Sequence, residues 1–457
     1  MENTRYLITA FNDKLAQKGV RPSFFVRNYG CQMNERDAEK LRALFIQLGY
    51  EAAETQETAD LILYNTCCVR ESAEDKIWGH LSRLKTIKAT KKELFIVVCG
   101  CMTQQPEVAA VFKKKHPYVN VVCGTGNRHR LPDMLWQAME TGKQVVDISE
   151  DDALPELADV PVTTREYPHK AGVNIMYGCD NYCTFCIVPY VRGRERSRPA
   201  GEVLAEVRAL INDGVKEIML LGQNVNAYQS TDGVDFPALL KQVHDVPGLV
   251  RLRFMTSHPK DFSDALIKAV ANLPKVCKSV HLPLQSGSTR VLNEMNRKYT
   301  QAKYLTLCEK LITAIPGIGI TTDIIVGYPG ETDADFEATL DVVRQVQFSG
   351  AFTFIYSKRS GTPAAERTDT VPRKTANERF EGLTATLYPL MQKRNEKLIT
   401  QTVTVMMESD GKGRTDDNTL VHVNVPEGTH LTPGDLADVC IHSARSFYVN
   451  GDFICLN

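Results

Sequence analysis

Three cysteines stand close together in the segment GCDNYCTFC, where they follow the spacing CxxxCxxC. They are Cys179, Cys183 and Cys186, and the segment begins where the predicted strand 173–178 ends. Cysteine thiolates are the usual protein ligands of iron–sulfur clusters, so three of them can hold three irons of a [4Fe–4S] cluster and leave the fourth open to a substrate. The alternative is a structural zinc site or unrelated loop cysteines, but zinc sites usually show paired CxxC units or a distant HxxxH. The sequence therefore predicts an open cluster in this loop.

A second set of three cysteines is dispersed along the chain. Cys31 lies in NYGCQMNE, Cys67 in YNTCCVRE and Cys101 in VCGCMTQQ. Each stands at or just past the carboxyl end of a predicted strand, and ligands of open α/β sheets bind outside those ends. The three thiols can therefore converge in space although they are far apart in sequence. Spacing alone leaves two interpretations open, a functional site and ordinary buried cysteines, which are common.

The elements that must position the dispersed cysteines lie in residues 21–145, which alternate short apolar runs with amphipathic stretches. This pattern is typical of an open, mostly parallel sheet covered by helices. The predicted strands of this N-terminal domain are 23–29, 61–65, 94–100 and 119–124, and its predicted helices include 35–49 and 106–116. We expect residues 1–20 to be a flexible lead-in. Residues 146–165 are acidic, contain proline and lack a period, so they are predicted to be a linker.

A second α/β series occupies residues 166–390 and should position the compact cysteine motif. Its predicted strands are 173–178, 217–222, 250–256, 279–284, 319–327 and 350–357, and its predicted helices include 201–214, 332–346 and 375–399. Strands alternating with helices over this length predict a partial (β/α) barrel, whose sites lie at the carboxyl ends of the strands. Residues 391–457 change to short strands and turns, at 401–408, 420–425, 436–444 and 446–451, which predicts a small antiparallel β-barrel.

The compact motif and its surroundings resemble the radical S-adenosylmethionine (SAM) enzymes. The resemblance implies that the open iron binds the amino and carboxylate groups of SAM, and that reductive cleavage of SAM yields a 5′-deoxyadenosyl radical. It also implies that Phe185 lies against the SAM adenine and that the GQN segment after the second barrel strand contacts the SAM amino end. The predicted SAM contacts, to which we add two polar residues at the end of the fourth strand, are Phe185, Gly222, Gln223, Asn224, Gln285 and Ser286.

The segments NYGCQMNERDAE, NTCCVRESAEDK and GCMTQ are similar to the three cluster-binding motifs of the methylthiotransferase N-terminal domain. This resemblance implies that Cys31, Cys67 and Cys101 hold an auxiliary [4Fe–4S] cluster with its own open iron. We expect Cys68 and Cys99 to be packing neighbours of these ligands, with a role in sulfur handling as the alternative. The remaining cysteines stand in apolar contexts that indicate core residues.

The loop that follows the compact motif, IVPYVRGRERSRP, carries four arginines and a single glutamate. Such a loop is usually a solvated surface, but at the mouth of a barrel site it can bind RNA phosphates, because arginine binds phosphate with two parallel hydrogen bonds. The candidate RNA contacts are Arg192, Arg194, Arg196 and Arg198. The stretch GCDNYCTFCIVPYVRGRERSR resembles the MiaB-type branch of the methylthiotransferases, which modifies tRNA, and the resemblance extends over about residues 22–457.

That branch implies a specific reaction, the addition of a methylthio group to carbon 2 of N(6)-dimethylallyladenosine beside the tRNA anticodon. The reaction consumes two SAM molecules and needs both clusters, a reducing electron donor and a sulfur or cluster donor. Two other methylthiotransferase substrates remain open, threonylcarbamoyl-adenosine in tRNA and a ribosomal-protein aspartate. A non-catalytic iron–sulfur RNA-binding protein is a more distant alternative, and it would use closed four-cysteine clusters.

The C-terminal barrel resembles the TRAM domain, the RNA-binding module of these enzymes. From Lys393 to the end the chain has six Lys+Arg against nine Asp+Glu, so an RNA contact there must be local, through Lys412, Arg414 or Arg445. A capping barrel or a protein-binding barrel is the alternative.

The whole chain is close to neutral, with 54 Lys+Arg and 55 Asp+Glu. The start of the sequence lacks a secretory signal pattern and no apolar run is long enough for a membrane span, so we expect a cytoplasmic location without a membrane. In such a chain the 13 cysteines indicate metal or redox chemistry rather than disulfide bonds. We expect a monomer that binds a tRNA anticodon stem-loop.

Overall fold

The computed structural model describes residue 11 and residues 21–68, 71–149 and 165–457. The predicted lead-in, apart from Phe11, and most of the predicted linker lie outside the described residues. The chain divides into two compact units. Within the described residues, the first unit takes those up to Glu166 together with Tyr177–Asp180 and Ile187–Arg196, and the second takes the rest. None of the described helices is long and apolar enough to cross a membrane.

The first unit is built on a six-stranded parallel sheet of order β2-β1-β3-β4-β5-β6. The strands are β1 (Ser23–Asn28), β2 (Glu51–Ala52), β3 (Leu61–Thr66), β4 (Phe95–Gly100), β5 (Val121–Cys123) and β6 (Val145–Asp147). Successive residues of β3 belong to different cores, since Leu61 and Leu63 pack in one apolar cluster and Ile62 and Tyr64 in another. Both faces of the sheet are therefore covered, as a parallel sheet requires.

Helices on these two faces are α1 (Gln32–Gln47), α2 (Glu71–Thr90), α3 (Pro106–Lys115) and α4 (Leu131–Thr141). The predicted open α/β sheet is confirmed, but three details differ. Helix α1 begins three residues before the predicted start at residue 35, directly after Cys31. The edge strands β2 and β6 are only two and three residues long, too short to be predicted from an apolar run, and the last two residues of β6 lie in the predicted linker.

The second unit contains two three-stranded parallel sheets, of order β11-β10-β7 and β12-β13-β14. Their strands are β7 (Lys170–Asn174), β10 (Glu217–Leu221), β11 (Arg251–Phe254), β12 (Ser279–His281), β13 (Gly319–Val326) and β14 (Gly350–Ile355). A parallel bridge between Leu252 and Val276 lies at the junction of the two sheets, and one large apolar core includes strands of both. The predicted partial (β/α) barrel is confirmed.

Short strands and helices complete this part of the chain. The strands β8 (Met176–Tyr177) and β9 (Arg196–Ser197) form a two-stranded sheet. The helices are α5 (Val188–Arg192), α6 (Ala200–Asn212), α7 (Phe236–His244), α8 (Asp264–Asn272), α9 (Thr289–Glu294), α10 (Gln301–Ala314), α11 (Asp333–Val346) and α12 (Arg373–Glu396).

The fourth predicted barrel strand, 279–284, is too long. Strand β12 ends at His281, and Pro283 follows shortly afterwards. Proline has no N–H to donate to a sheet ladder, which explains the early end of the strand. The chain rejoins the sheet at Gln285, which makes a single parallel bridge with Ile324.

The C-terminal strands form a closed barrel of order β15-β16-β17-β19-β18, which confirms the predicted small β-barrel. The prediction that it is antiparallel throughout is wrong, because β17 and β19 pair in parallel. They are β15 (Thr402–Ser409), β16 (Lys412–Arg414), β17 (Leu420–Asn424), β18 (Leu436–Ala444) and β19 (Val449–Leu456). This barrel contacts the first residues of the parallel strands within the same unit. Arg251, which begins β11, donates to the carbonyl of Arg414 at 2.7 Å, and Lys170, which begins β7, pairs with Glu408 at 2.6 Å. The carboxyl ends of the parallel strands, where sites form, lie at the opposite ends of those strands.

Candidate metal centres

The dispersed cysteines follow three strands that are neighbours in the first sheet, since Cys31 follows β1, Cys67 follows β3 and Cys101 follows β4. The position of Gly30 shows how closely the carboxyl ends of β1 and β3 approach each other. Its φ is +120°, and a Cβ added there would lie 2.4 Å from the Cβ and 2.8 Å from the Sγ of Cys67. The backbone N–H of Cys101 donates to the carbonyl of Thr66 at 3.0 Å. The structure therefore brings the three predicted thiols to one edge of the sheet.

The sulfur of Cys101 accepts hydrogen bonds from two other side chains. The thiol of Cys68 donates to it, and Arg192 Nε donates at 3.3 Å. These bonds lower the pKa of Cys101, with the Cys68 bond as the larger cause, and the same bond raises the pKa of Cys68. A thiolate is the form in which cysteine binds metal. Cys68 thus contacts the Cys101 sulfur directly, whereas the Cys99 sulfur is buried 3.7 Å from Asn65 Oδ1.

A buried network of charged side chains holds Arg192. Its Nη2 donates to Asn34 Oδ1 at 2.7 Å and lies 3.4 Å from Asp37 Oδ2. Asp37 also forms an ion pair with Arg128, and all three charged side chains are less than a tenth exposed. Burial opposes ionisation of Asp37, but Arg128 and Arg192 hold the pKa of its carboxyl below the usual value. The network therefore keeps its charges at neutral pH.

The boundary between the two units runs through the compact motif, so that Cys179 belongs to the first unit and Cys183 and Cys186 belong to the second. In the first unit, the backbone N–H of Cys179 donates to the carbonyl of Gly193 at 3.2 Å. Gly178 precedes it with a φ of +73°, and an added Cβ would lie 1.9 Å from the carbonyl oxygen of Arg194. Only glycine fits this position, so the motif begins at a tightly packed backbone crossing.

In the second unit, the sulfur of Cys183 accepts a hydrogen bond from Arg297 Nη1 at 3.3 Å. Arg297 is buried, and its other nitrogens donate to the Tyr299 hydroxyl at 3.1 Å and to the carbonyl of Pro283 at 3.1 Å. The backbone N–H of Cys186 donates to the carbonyl of Cys183 at 2.9 Å. A fixed guanidinium therefore faces one cysteine of this motif.

The donor sets of both motifs consist of thiols, which suit iron–sulfur clusters. Among the residues that the structure describes, no group of three His, Cys, Asp or Glu side chains is close enough to hold one metal ion. A cubane cluster does not need such a group, because each thiolate binds a different iron atom. The thiols and the buried donors around them fit a cluster of this kind.

The predicted SAM contacts lie in the second unit. Phe185 packs beside an apolar cluster that contains Tyr328 and Met295. A Cβ added to Gly222 would lie 2.5 Å from Met176 Cγ, so this strand end is closely packed. Gln223 is half-buried directly after it.

Three further predicted SAM contacts are buried and belong to ordered turns. Asn224 Nδ2 donates to Asp261 at 2.8 Å, and its Oδ1 accepts from the backbone N–H of His258 at 3.1 Å. Gln285 has a φ of +68°, a strained conformation that is frequent at functional sites. Ser286 Oγ accepts from the backbone N–H of Ser288 at 3.2 Å. As contacts to SAM, these residues stay predictions.

The four arginines of the basic loop are in different environments. Arg192 is buried in the network above, and Arg198 is buried against Glu206 Oε2 at 2.6 Å and the carbonyl of Asn174 at 2.7 Å. Burial and these partners remove both guanidiniums from a phosphate-binding surface, which corrects the prediction for them. Arg194 has a side chain that is 76% exposed and pairs with Asp180 at 3.1 Å, so it remains an RNA candidate. Arg196 is half-buried.

In the C-terminal barrel, Lys412 and Arg445 are exposed, and Arg414 lies 3.3 Å from Glu408 Oε2. Sequence reasoning missed the side chains that surround the cysteines, namely Asn34, Asp37, Arg128, Arg297 and Tyr299. Polar residues in loops and first helical turns are common, so a single sequence gives no local signal that these would be buried against sulfur.

Comparisons with known protein families match the two α/β parts separately. Residues 173–343 match the radical SAM superfamily. Residues 23–124 match a family described as uncharacterized protein family UPF0004.

Curated relatives match almost the whole chain. A protein of Acetivibrio thermocellus named tRNA-2-methylthio-N(6)-dimethylallyladenosine synthase is 45% identical over 450 residues, which cover 96% of this chain and 93% of the relative. A protein of the same name from Caldicellulosiruptor saccharolyticus is 48% identical over 415 residues, covering 89% and 88% of the two chains. Another from Alkaliphilus oremlandii is 44% identical over 450 residues, covering 96% and 94%.

Solved structures share the fold at low sequence identity. The radical SAM methyltransferase TsrM from Kitasatospora setae, with cobalamin and a [4Fe–4S] cluster bound, has a TM-score of 0.55 at 14% identity, over 76% of this chain and 77% of that one. The cobalamin-dependent radical enzyme OxsB has a TM-score of 0.51 at 12% identity, over 82% and 57% of the two chains. These similarities concern the fold alone.

Proposed function

The chain belongs to the family of tRNA-2-methylthio-N(6)-dimethylallyladenosine synthases, and from this premise we propose how its own residues divide the reaction. It is a radical SAM methylthiotransferase that adds a methylthio group to carbon 2 of N(6)-dimethylallyladenosine in tRNA. It uses SAM and two [4Fe–4S] clusters.

Cys179, Cys183 and Cys186 hold the cluster that binds SAM. Their CxxxCxxC spacing, the strand that precedes them and the Arg297 hydrogen bond to Cys183 support this assignment. Three cysteine ligands leave one iron for the amino and carboxylate groups of SAM. Phe185, Gly222, Gln223, Asn224, Gln285 and Ser286 form the surrounding SAM site.

Cys31, Cys67 and Cys101 hold the auxiliary cluster. The observation that carries this proposal is their convergence at one sheet edge, where Cys68 and Arg192 donate hydrogen bonds to the Cys101 sulfur. Cys67 and Cys101 are buried, whereas Cys31 is exposed. The cluster would therefore be held at the protein surface of this unit, with one side accessible to reactants.

Bound SAM and the clusters supply the radical and sulfur chemistry, which a side-chain base cannot replace because an aromatic C–H is too weak an acid. The residues of the chain orient these groups and exclude water. The sulfurs of Cys183 and Cys101 each face a buried guanidinium, so their positions are fixed before any ligand binds.

The RNA partner is a tRNA anticodon stem-loop, whose unpaired base can be turned out into a pocket. Arg194, Lys412 and Arg445 are the exposed cations that would contact its phosphates. The reaction also needs a reducing electron donor and a donor that restores the sulfur consumed. We propose that the enzyme works as a monomer in the cytoplasm, where thiols stay reduced.

The division between the two clusters is tested with single cysteine variants, assayed for 5′-deoxyadenosine and for methylthio-adenosine in RNA. Cys179→Ala should lose both products. Cys101→Ala should keep deoxyadenosine formation and lose methylthiolation. Cys99→Ala, next to Cys101 but bonded to Asn65, is the matched control and should keep both products. Equal loss of deoxyadenosine in Cys179→Ala and Cys101→Ala would overturn the division of roles.

A further inference from the structure

Arg192 ends the short helix α5, which begins just after the compact cysteine motif. Two apolar residues of this segment, Ile187 and Val191, are 5% and 2% exposed and pack in a core of the first unit. The carbonyl of Val191 also accepts a hydrogen bond from Thr125. Helix α5 is therefore anchored in the first unit, and it holds Arg192 in a fixed position rather than on a mobile loop.

The guanidinium of Arg192 is oriented by contacts on two sides. Nη2 donates to Asn34 at 2.7 Å and faces Asp37 at 3.4 Å, while Nε donates to Cys101 Sγ at 3.3 Å. Asn34 is fixed in turn, because its Nδ2 donates to the carbonyls of Tyr29 at 2.8 Å and Thr66 at 2.9 Å. These bonds orient the Nε–H bond towards the cysteine sulfur.

The charge balance of this network favours an anion beside it. Arg128 and Arg192 are two buried cations that share one carboxylate, Asp37. A thiolate-ligated iron–sulfur cluster at Cys101 would supply negative charge at the place where Arg192 points.

We propose that Arg192 is a positioning residue of the auxiliary cluster, whose hydrogen bond to Cys101 Sγ orients this ligand and raises the reduction potential of the cluster. The inference rests on the proposed assignment of Cys101 as a ligand. Reduction adds negative charge to the cluster, and a nearby cation and a hydrogen bond to sulfur stabilise that charge. Asp37, Asn34 and Arg128 keep Arg192 in place.

The test uses the full chain with Cys179, Cys183 and Cys186 all replaced by alanine, so that only the auxiliary cluster can be loaded. In this parent, Arg192→Met should retain about four irons per chain and show a more negative midpoint potential in an EPR-monitored redox titration. Arg192→Lys keeps the charge but loses the Nε donor, and it should show a smaller shift. Arg83→Met, which removes an exposed arginine of α2 in the same unit, should leave the potential unchanged. An unchanged potential in Arg192→Met would overturn the inference.

A second measurement covers the case in which Arg192→Met does not fold or load iron. The parent labelled with [15N]arginine should show 15N coupling to the reduced cluster by pulsed EPR, and Arg192→Lys should lose that coupling. The absence of coupling in the parent would overturn the role of Arg192. A parent that binds no iron would instead overturn the proposed ligand assignment, so the two failures are distinguishable.

Discussion

At the scale of single residues, both cysteine motifs contain a sulfur that faces a buried arginine. Arg192 donates to Cys101 and Arg297 to Cys183, each at 3.3 Å. Neither arginine is free to turn away, because another nitrogen of each guanidinium donates to a further buried group. Groups that hold a metal ligand in place are often nearly as important for binding as the ligand itself.

Replacement of Arg297 by methionine tests whether the compact motif needs the hydrogen bond to Cys183. We expect deoxyadenosine formation from SAM to fall about 10- to 100-fold, as is typical when a group that orients a metal ligand is removed. Lys298→Met removes the exposed cation next to it and serves as the control, with activity close to that of the unaltered enzyme. Equal activity of Arg297→Met and Lys298→Met would show that the Cys183 hydrogen bond has no role.

At the scale of secondary-structure elements, the auxiliary site depends on how closely the carboxyl ends of β1 and β3 approach. Gly30 permits that approach, since its φ of +120° is unfavourable for other residues and its position leaves no room for a Cβ beside Cys67. The glycine therefore sets the distance between two proposed ligands.

Gly30→Ala should lower the iron content of the reconstituted enzyme from about eight to about four irons per chain, because only the auxiliary cluster is disturbed. Deoxyadenosine formation should persist. Gly79→Ala is the matched control, because Gly79 lies in α2 with no heavy atom within 4 Å of an added Cβ, and alanine there should stabilise the helix by about 1 kcal/mol. Retention of full iron content by Gly30→Ala would contradict the proposed convergence.

Much of this element-scale geometry could be predicted from the sequence. The apolar runs of β1, β3 and β4 predict buried parallel strands, and cysteines just past their ends must then meet at one edge. The burial of Arg192 could not be predicted, because a loop rich in arginine normally indicates a solvated surface. Strand β12 ends early because of Pro283, but the apolar residues around this proline favour a longer strand in a prediction from sequence. Contacts to Arg128 or Arg297 join residues far apart in sequence, which local patterns do not encode.

At the scale of the whole molecule, the second unit combines a catalytic barrel with a β-barrel that closes one end of its strands. Arg253 of β11 pairs with Glu217 of β10 at 3.0 Å, and both side chains are less than a tenth exposed. The same guanidinium donates to the carbonyls of Thr415 at 2.8 Å and Asp416 at 3.2 Å. One buried ion pair therefore links the parallel strands to the C-terminal barrel.

Arg253→Met should destabilise the protein by about 3–5 kcal/mol, because Glu217 would be left as a buried charge without a partner. The double variant Arg253→Met with Glu217→Gln removes that charge and should recover part of the loss. Urea unfolding of the two variants and the parent measures the difference. A double variant less stable than Arg253→Met alone would mean that the charge of Glu217 is satisfied by other groups.

The central claim is that one chain holds two open clusters and modifies an adenosine of tRNA with both. The most direct measurement is anaerobic reconstitution with iron and sulfide, followed by iron counting and mass spectrometry of nucleosides after reaction with SAM, a reductant and isopentenylated anticodon stem-loop RNA. The account predicts about eight irons per chain and a 2-methylthio product. About four irons, with deoxyadenosine but no modified RNA, would contradict it.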